Sequence, residues 1–205
     1  MTQTRKQHWE TVYQDKSPLE VSWYQTRPTL SLELIASCDL NPAASVIDVG
    51  GGASTLVDHL LELGYRNLSV LDISASALAH ARERLGERAG DVEWIEADVT
   101  EFVPPRTYEL WHDRAVFHFL TEAADRRRYR ELLERAVAPG GHLIIAAFAP
   151  DGPTMCSGLP ICRYDAAGLM SEVGPDFKLV DERREVHVTP ADKEQSFAFF
   201  HLKRL

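Results

Sequence analysis

A short run in the first quarter of the chain has the residue types and spacing of a ligand site. Val46-Ile47-Asp48-Val49 is a β-branched apolar segment carrying one acid, Gly50-Gly51-Gly52 is a turn without side chains, and Ala53-Ser54-Thr55 opens a helix. Glycines at such a turn let the backbone bend sharply and approach a ligand closely. The helix start adds unpaired N–H groups and the positive end of a dipole. A second apolar run, Leu68-Ser69-Val70-Leu71, ends at Asp72-Ile73. That acid falls about 20 residues beyond the turn, where a strand-tip carboxylate can accept both hydroxyls of a ribose. The chemistry is that of holding a nucleotide-sized cofactor. A nicotinamide dinucleotide fits poorly: its fingerprint needs glycine at the first, third and sixth positions of the turn, and the sixth here is Thr55.

These residues need a framework that brings strand tips together. Strand-like and helix-like segments alternate along the chain, which predicts a mostly parallel α/β sheet with helices on both faces. Ser54 can cap a helix carrying Leu56, Val57, Leu60 and Leu61, with Gly64 as its stop. Another helix starts near Ser74, with Leu78, Ala81 and Leu85 on one face. The run from Asp91 to Ala97 reads as a third strand, followed by Asp98-Val99, and Tyr108 to Asp113 as a fourth. A helix from Thr121 to about Val137 ends at Pro139-Gly140-Gly141, and His142 to Phe148 forms a central buried strand. A helix near Asp165 to Val173 follows, then two strands joined by the Thr189-Pro190-Ala191-Asp192 turn, a hairpin that makes the last strand antiparallel.

Composition narrows the partners. At 205 residues, 44% hydrophobic and 26% charged, the chain is expected to fold as one domain, 1–205, of ordinary core size. Its net charge of −9 and scattered basic residues argue against a nucleic-acid backbone as partner. Arg126-Arg127-Arg128 lies on a predicted helix and reads as a solvated face. The opening residues lack a signal-peptide core, and the longest apolar run, Leu143 to Ala149, is too short for a membrane span, so a cytoplasmic protein without a membrane partner is expected. Three cysteines, Cys38, Cys156 and Cys162, with no close pair, predict neither a disulfide framework nor a metal site.

Taken together, Asp48-x-Gly50-x-Gly52-x-Ser54, Asp72-Ile73 and Asp98-Val99 resemble the motifs of the class I S-adenosylmethionine (SAM) methyltransferases. The resemblance implies a Rossmann-like sheet of seven strands with the last one reversed, and SAM as cofactor with S-adenosylhomocysteine (SAH) as product. It places Asp48, Gly50, Gly51, Gly52 and Ser54 around the methionine end, Asp72 and Ile73 at the ribose, and Asp98 and Val99 at the adenine. Asp48 can alternatively do no more than order the glycine turn through backbone N–H bonds, Asp72 can belong to a helix N-cap, and Asp98 can be a plain loop acid. Pro139-Gly140-Gly141 before an apolar strand resembles the motif that follows the catalytic region in small-molecule methyltransferases. The opening, His8-Trp9-Glu10 through Trp23-Tyr24-Gln25, is similar to the N-terminal segment of short bacterial methyltransferases, and more loosely to the lysine methyltransferases of elongation factor 1A and citrate synthase. Residues 1–40 are accordingly expected to be a helical cap or lid.

On the acceptor side the residues speak less clearly. SAM carries its own activation, so the protein must mainly align acceptor, methyl and sulfur. The Asn/Asp-Pro-Pro-aromatic motif of amide-nitrogen and adenine methylation is replaced by Asp113-Arg114-Ala115-Val116. Trp23 and Tyr24 can close over the sulfonium through a cation–π contact, or simply pack the segment on the sheet. Asp113 and Arg114 end a strand pointing at the cofactor and can orient the acceptor or make an internal ion pair, with a site role favoured for Asp113, which can also contact the cofactor. His118 can act as a general base or be a packed ring between Phe117 and Phe119. The turn-rich run Phe148 to Pro160 follows a strand on the ligand-binding side and carries Cys156, with Cys162 just beyond; two thiols could hold a soft acceptor, although unpaired cysteines are usually inert. His187 reads as an ordinary strand-end residue. The expected activity is methyl transfer to a small molecule without a metal. A protein lysine methyltransferase and a SAM-binding module without turnover are the alternatives, and oligomeric state stays open.

Overall fold

The computed structural model describes residues 4–205. The chain enters through helix α1 (Arg5–Asp15) and, after an irregular stretch, helix α2 (Thr29–Ser37). It then alternates β1 (Ser45–Val49), α3 (Leu56–Glu62), β2 (Asn67–Asp72), α4 (Ala75–Leu85) and β3 (Val92–Glu96). Strand β4 (Tyr108–Arg114), helix α5 (Ala123–Ala136) and strand β5 (Val137–Phe148) follow. A two-residue hairpin, β6 (Met155–Cys156) and β7 (Leu159–Pro160), precedes α6 (Ala166–Val173), β8 (Phe177–Val188) and β9 (Glu194–Arg204).

Seven strands form one sheet in the order β3-β2-β1-β4-β5-β9-β8. The pairs among β3, β2, β1, β4 and β5 are parallel; β9 inserts between β5 and β8 and is antiparallel to both. This is the expected Rossmann-like sheet with a reversed last strand. All five residues of β1 are buried, as an inner parallel strand covered on both faces must be. One face packs Tyr129, Leu132 and Leu133 of α5 with Leu169 of α6; the other packs Leu34 and Ile35 of α2 with Leu56, Leu60 and Leu78 of α3 and α4. No helix among the described residues is long and apolar enough to cross a membrane.

Three local differences from the sequence reading have physical causes. The Pro139-Gly140-Gly141 turn lies within β5, because Val137 already pairs with Tyr108 and the ladder resumes at His142 with a register shift. The run after β5 is less open than expected, since Met155 and Cys156 fold back on Pro160 and Leu159. Of the expected 1–40 segment, residues 1–3 lie outside the described residues; within 4–40, α2 belongs to the packing under the sheet, while α1 and the stretch after it lie over the strand tips.

Candidate active site

The turn after β1 is shaped by what lies against each glycine. Gly50 has φ +66°, the left-handed region, and a side chain there would collide with Val116. A Cβ on Gly51 would stand 2.5 Å from Asp48 Oδ2, and one on Gly52 would stand 2.5 Å from Asp72 Oδ2. The bare turn therefore wraps two carboxylates. It is tied to the neighbouring strand by Gly50 N–H, which donates to the Leu71 carbonyl at 2.6 Å. Ser54 Oγ accepts from Leu56 N–H at 3.1 Å, so it does serve the helix start.

Asp48 is held from below. Its Oδ1 lies 2.7 Å from His112 Nδ1, and His112 Nε2 lies 3.0 Å from Ser31 Oγ, while Oδ2 is buried without a partner among the described residues. Asp72 is buried at the tip of β2, and its Oδ1 accepts from Ser74 N–H at 2.9 Å. Ser74 in turn caps α4 by accepting from Ala77 N–H, so both readings of Asp72 have a basis: one oxygen orders the helix start and the other faces the glycine turn. Burial, with Asp48 and Glu10 nearby, pushes the Asp72 carboxyl up to about 7. Asp98 at the tip of β3 accepts from Thr100 N–H and Oγ–H at 2.9 and 2.8 Å.

Helix α1 roofs these strand tips. Thr4 and Gln7 form a capping box at its start. Arg5 then donates to both oxygens of Asp98 at 3.1 and 2.9 Å and to Asp125 of α5 at 2.5 Å. Glu10 accepts from Ala75 and Ser76 N–H at 2.6 and 3.2 Å, so the roof supplies a carboxylate to the N-terminus of α4. Trp9 packs edge-on against Trp23 at 5.8 Å and Phe119 at 5.0 Å, and Tyr13 against Trp23 at 6.1 Å. His187 of β8, beyond a plain strand-end role, places Nε2 at 2.7 Å from the Ser22 carbonyl and fastens the stretch before Trp23.

Between floor and roof lie two adjoining chambers that share Tyr13, Trp23, Gly50 and Arg114. The first takes in Asp72, Ile73, Asp98 and Val99, with Trp9 and Cys156 on its walls, and encloses about 720 Å³ including space open to solvent. The second takes in Asp48, Gly51, Ser54, Tyr24 and His112. Most of the residues singled out in the sequence are thus brought to one cleft at the carboxyl ends of the strands. Gly52 sits behind the turn. Asp98 is more committed than the resemblance implied, because Arg5 already occupies it.

Besides Gly52 and Cys162, two candidates for catalysis, Asp113 and His118, line neither chamber. Asp113 is fully buried under the turn after β4: its Oδ1 accepts from Val116 and Phe117 N–H at 3.0 and 3.2 Å, and its Oδ2 accepts from Tyr129 Oη–H at 2.5 Å. It positions the backbone around Ala115, which has φ +69°, and lines neither chamber. His118 is likewise fully buried, with its ring 4.4 Å from Phe119 and 5.0 Å from Phe148 and no partner on either nitrogen among the described residues. Burial and the Arg114 charge push it down to about 3, so it is a neutral packed ring and not a general base. Tyr24 lines only the second chamber. Of the two thiols, Cys156 reaches the first chamber, with burial raising it to about 11, whereas Cys162 lines neither.

The sequence reading passed over Arg5, Glu10, Tyr13, His112 and Phe119 as individual site residues, and gave Arg114 only as the neighbour of Asp113 at the strand end. Only Arg114 carried a local signal, an arginine at the end of a buried strand; the others depend on packing across the chain. Cys38, His142 and His201 form a separate cluster, with His142 Nδ1 2.8 Å and Cys38 Sγ 3.4 Å from His201 Nε2. None of the three lines the cleft.

Comparison with known proteins agrees with this geometry. A family model described as a methyltransferase domain matches residues 47–143, the segment from β1 into β5. Nodulation protein S of Rhizobium tropici is 29% identical over 114 residues, covering 56% of this chain and 47% of that protein. The eEF1A lysine and N-terminal methyltransferase of Mus musculus is 24% identical over 138 residues, 67% of this chain and 19% of that protein. The chain thus spans less than half the length of either relative. Among solved structures, a SAM-dependent methyltransferase from Anabaena variabilis superimposes with a TM-score of 0.76 at 14% identity, covering 98% of this chain and 96% of that one.

Proposed function

We propose that the chain is a class I SAM-dependent methyltransferase and that it methylates a small-molecule acceptor held in the aromatic chamber. The observation that carries the reading is the closed cleft itself. Strand tips bearing Asp48, Asp72 and Asp98 face a roof of Trp9, Tyr13 and Trp23. Its size lies in the range of small-molecule sites.

The residues present fit SAM. The turn is bare where a Cβ would strike the Asp48 and Asp72 carboxylates, and Asp48 Oδ2 is a buried acceptor suited to an ammonium group. Asp48, Gly50, Gly51 and Ser54 would hold the methionine end, Asp72 and Ile73 the ribose, and Asp98 and Val99 the adenine edge. When bound, SAM supplies a methyl group already activated on a sulfonium. The chain's own part is to bind, align and keep out water. Trp23 and Trp9 would close over the charged centre with their rings. No histidine among the described residues lines the first chamber, and the Cys156 thiol is held protonated at neutral pH, so neither type of group would supply a base there.

A protein lysine methyltransferase is the second reading, favoured by the acidic chain and the likeness to the mouse enzyme. Calorimetry with SAM and SAH, followed by transfer assays with labelled SAM, separates the readings. Small molecules labelled in an acceptor screen support the proposal, and label confined to one basic protein replaces it with the second reading. Tight SAH binding with no transfer to any acceptor leaves a binding module.

A further inference from the structure

Resting on the methyltransferase reading, we infer that Arg114 is a receptor for a carboxylate, and that its surroundings point to the acceptor as the bearer. Arg114 ends β4 and lines both chambers. Its Nη1 donates to the Trp23 carbonyl at 2.8 Å, and its guanidinium lies over the Phe197 ring with 5.1 Å between Cζ and the centroid. Nε and Nη2 are closed off from solvent and have no partner among the described residues. A buried guanidinium with free donors on its fork is a demanding group, because it has given up water without gaining an acceptor. Burial lowers its pKa only to about 10, so it keeps its charge at neutral pH.

The nearest acids leave its Nε and Nη2 without a hydrogen bond. Glu185 accepts from Gln25 Nε2 at 3.2 Å on both oxygens, and Asp48 is paired with His112. A planar fork with two free N–H groups on one edge matches a carboxylate better than any neutral acceptor. Position then indicates which carboxylate. The strand tips fitted to the cofactor are those of β1, β2 and β3, on one side of β4 in the sheet. Arg114 stacks its guanidinium the other way, over Phe197 of β9, and feels the charges of Glu185 of β8 and Cys156 of β6 as well as that of Asp48 on β1. That side is left for the acceptor. An acidic small molecule would then be held by its charge while its nucleophile meets the methyl group.

The test uses the full chain saturated with SAH and titrated with succinate and benzoate, each against its uncharged amide, in the unaltered protein and in Arg114→Gln and Arg114→Lys. The expected result is binding of a carboxylate about tenfold or more tighter than its amide, lost in Arg114→Gln and partly kept in Arg114→Lys, with SAH affinity little changed. Binding of SAH and of 5′-methylthioadenosine, which lacks the amino-acid end, identifies the other source. If Arg114→Gln weakens SAH but not 5′-methylthioadenosine, the receptor role stands and the carboxylate is the cofactor's own. Equal binding of acids and amides, with SAH unaffected by either substitution, overturns the inference and leaves Arg114 as a tie to the Trp23 carbonyl. Should Arg114→Gln not fold, the acid-against-amide and SAH-against-thioadenosine comparisons on the unaltered protein decide alone. Failure of that protein to bind SAH at all would instead remove the functional reading.

Discussion

On the floor of the cleft, Asp48, Gly50 to Gly52 and Asp72 sit at the ends of parallel strands that are buried on both faces; over it, α1 hangs on two ion pairs from Arg5, an exposed one from Lys6 to Glu96, and the Glu10 contact with α4. The floor is fixed by backbone hydrogen bonds and by the absence of side chains, neither of which salt or a single truncation readily loosens. Partly exposed ion pairs and edge-on aromatic contacts hold the roof, and such pairs are individually weak and screened by salt. Only Tyr13 is buried within α1. A rigid platform under a lightly fastened cover would let ligands enter without disturbing the residues beneath, which is the lid role we propose for α1.

Breaking the floor should have the largest effect. Gly50→Val forces a β-branched residue into φ +66° and against Val116, so SAH binding should fall by roughly 100-fold or more in calorimetry. Near-normal affinity would show that the turn does not shape the site. Asp72→Asn should cost about 1.5–3 kcal/mol of SAH binding, the usual worth of hydrogen bonds to a charged group. It also tests linkage. The folded carboxyl is raised to about 7 from an ordinary 3.8, so the folded protein binds more protons than the unfolded chain between those values. Stability from this group is therefore full below about pH 4 and is lost as pH rises through 7, whereas SAH affinity should rise over the same upper range as the ribose acceptor ionises. Urea melts and SAH titrations from pH 5 to 8 should show both slopes, and the Asp72→Asn substitution should flatten both; parallel slopes in the two proteins would remove Asp72 from the ribose.

Loosening the roof should matter less. Arg5→Ala removes both the Asp98 and Asp125 pairs, but its side chain is 35% exposed, so a discounted loss of about 1 kcal/mol in SAH binding is expected. The effect should appear mainly as faster dissociation in stopped flow and should shrink as salt rises. An unchanged dissociation rate would mean that α1 does not gate the cleft. The smallest change in activity is expected at His118. His118→Leu should leave turnover intact and make the fold less acid-sensitive, because the folded ring has a pKa of about 3 against an ordinary 6.5 and opposes folding as pH falls below 6.5. Loss of turnover at full SAH affinity would return His118 to the chemistry.

The contrast between floor and roof also describes what could be read from the residues. Asp48, the glycine turn and Asp72 announce themselves locally, since a strand, a side-chain-free turn and a helix start are neighbours in sequence and dictate one another's geometry. The hairpin of β8 and β9 was equally legible from its turn and its alternation. Asp113 misled because a buried acid and a site acid look alike until its partners are known, and those are Tyr129 on another helix and two amides of the next turn. His118 misled for the same reason, its environment being set by Phe148 of β5 as well as its neighbour Phe119.

By itself the sequence determined the parallel framework, its reversed last strand and the acids and glycine turn that line one side of the cleft, because these rest on hydrophobic periodicity and on short-range turn chemistry. Tertiary structure alone decided that Arg5 would reach Asp98 from 93 positions away, that Glu10 would sit against α4, and that Arg114 would be buried with two free donors. Long side chains find partners through packing across the chain, and no local pattern records which charge will be left facing the ligand.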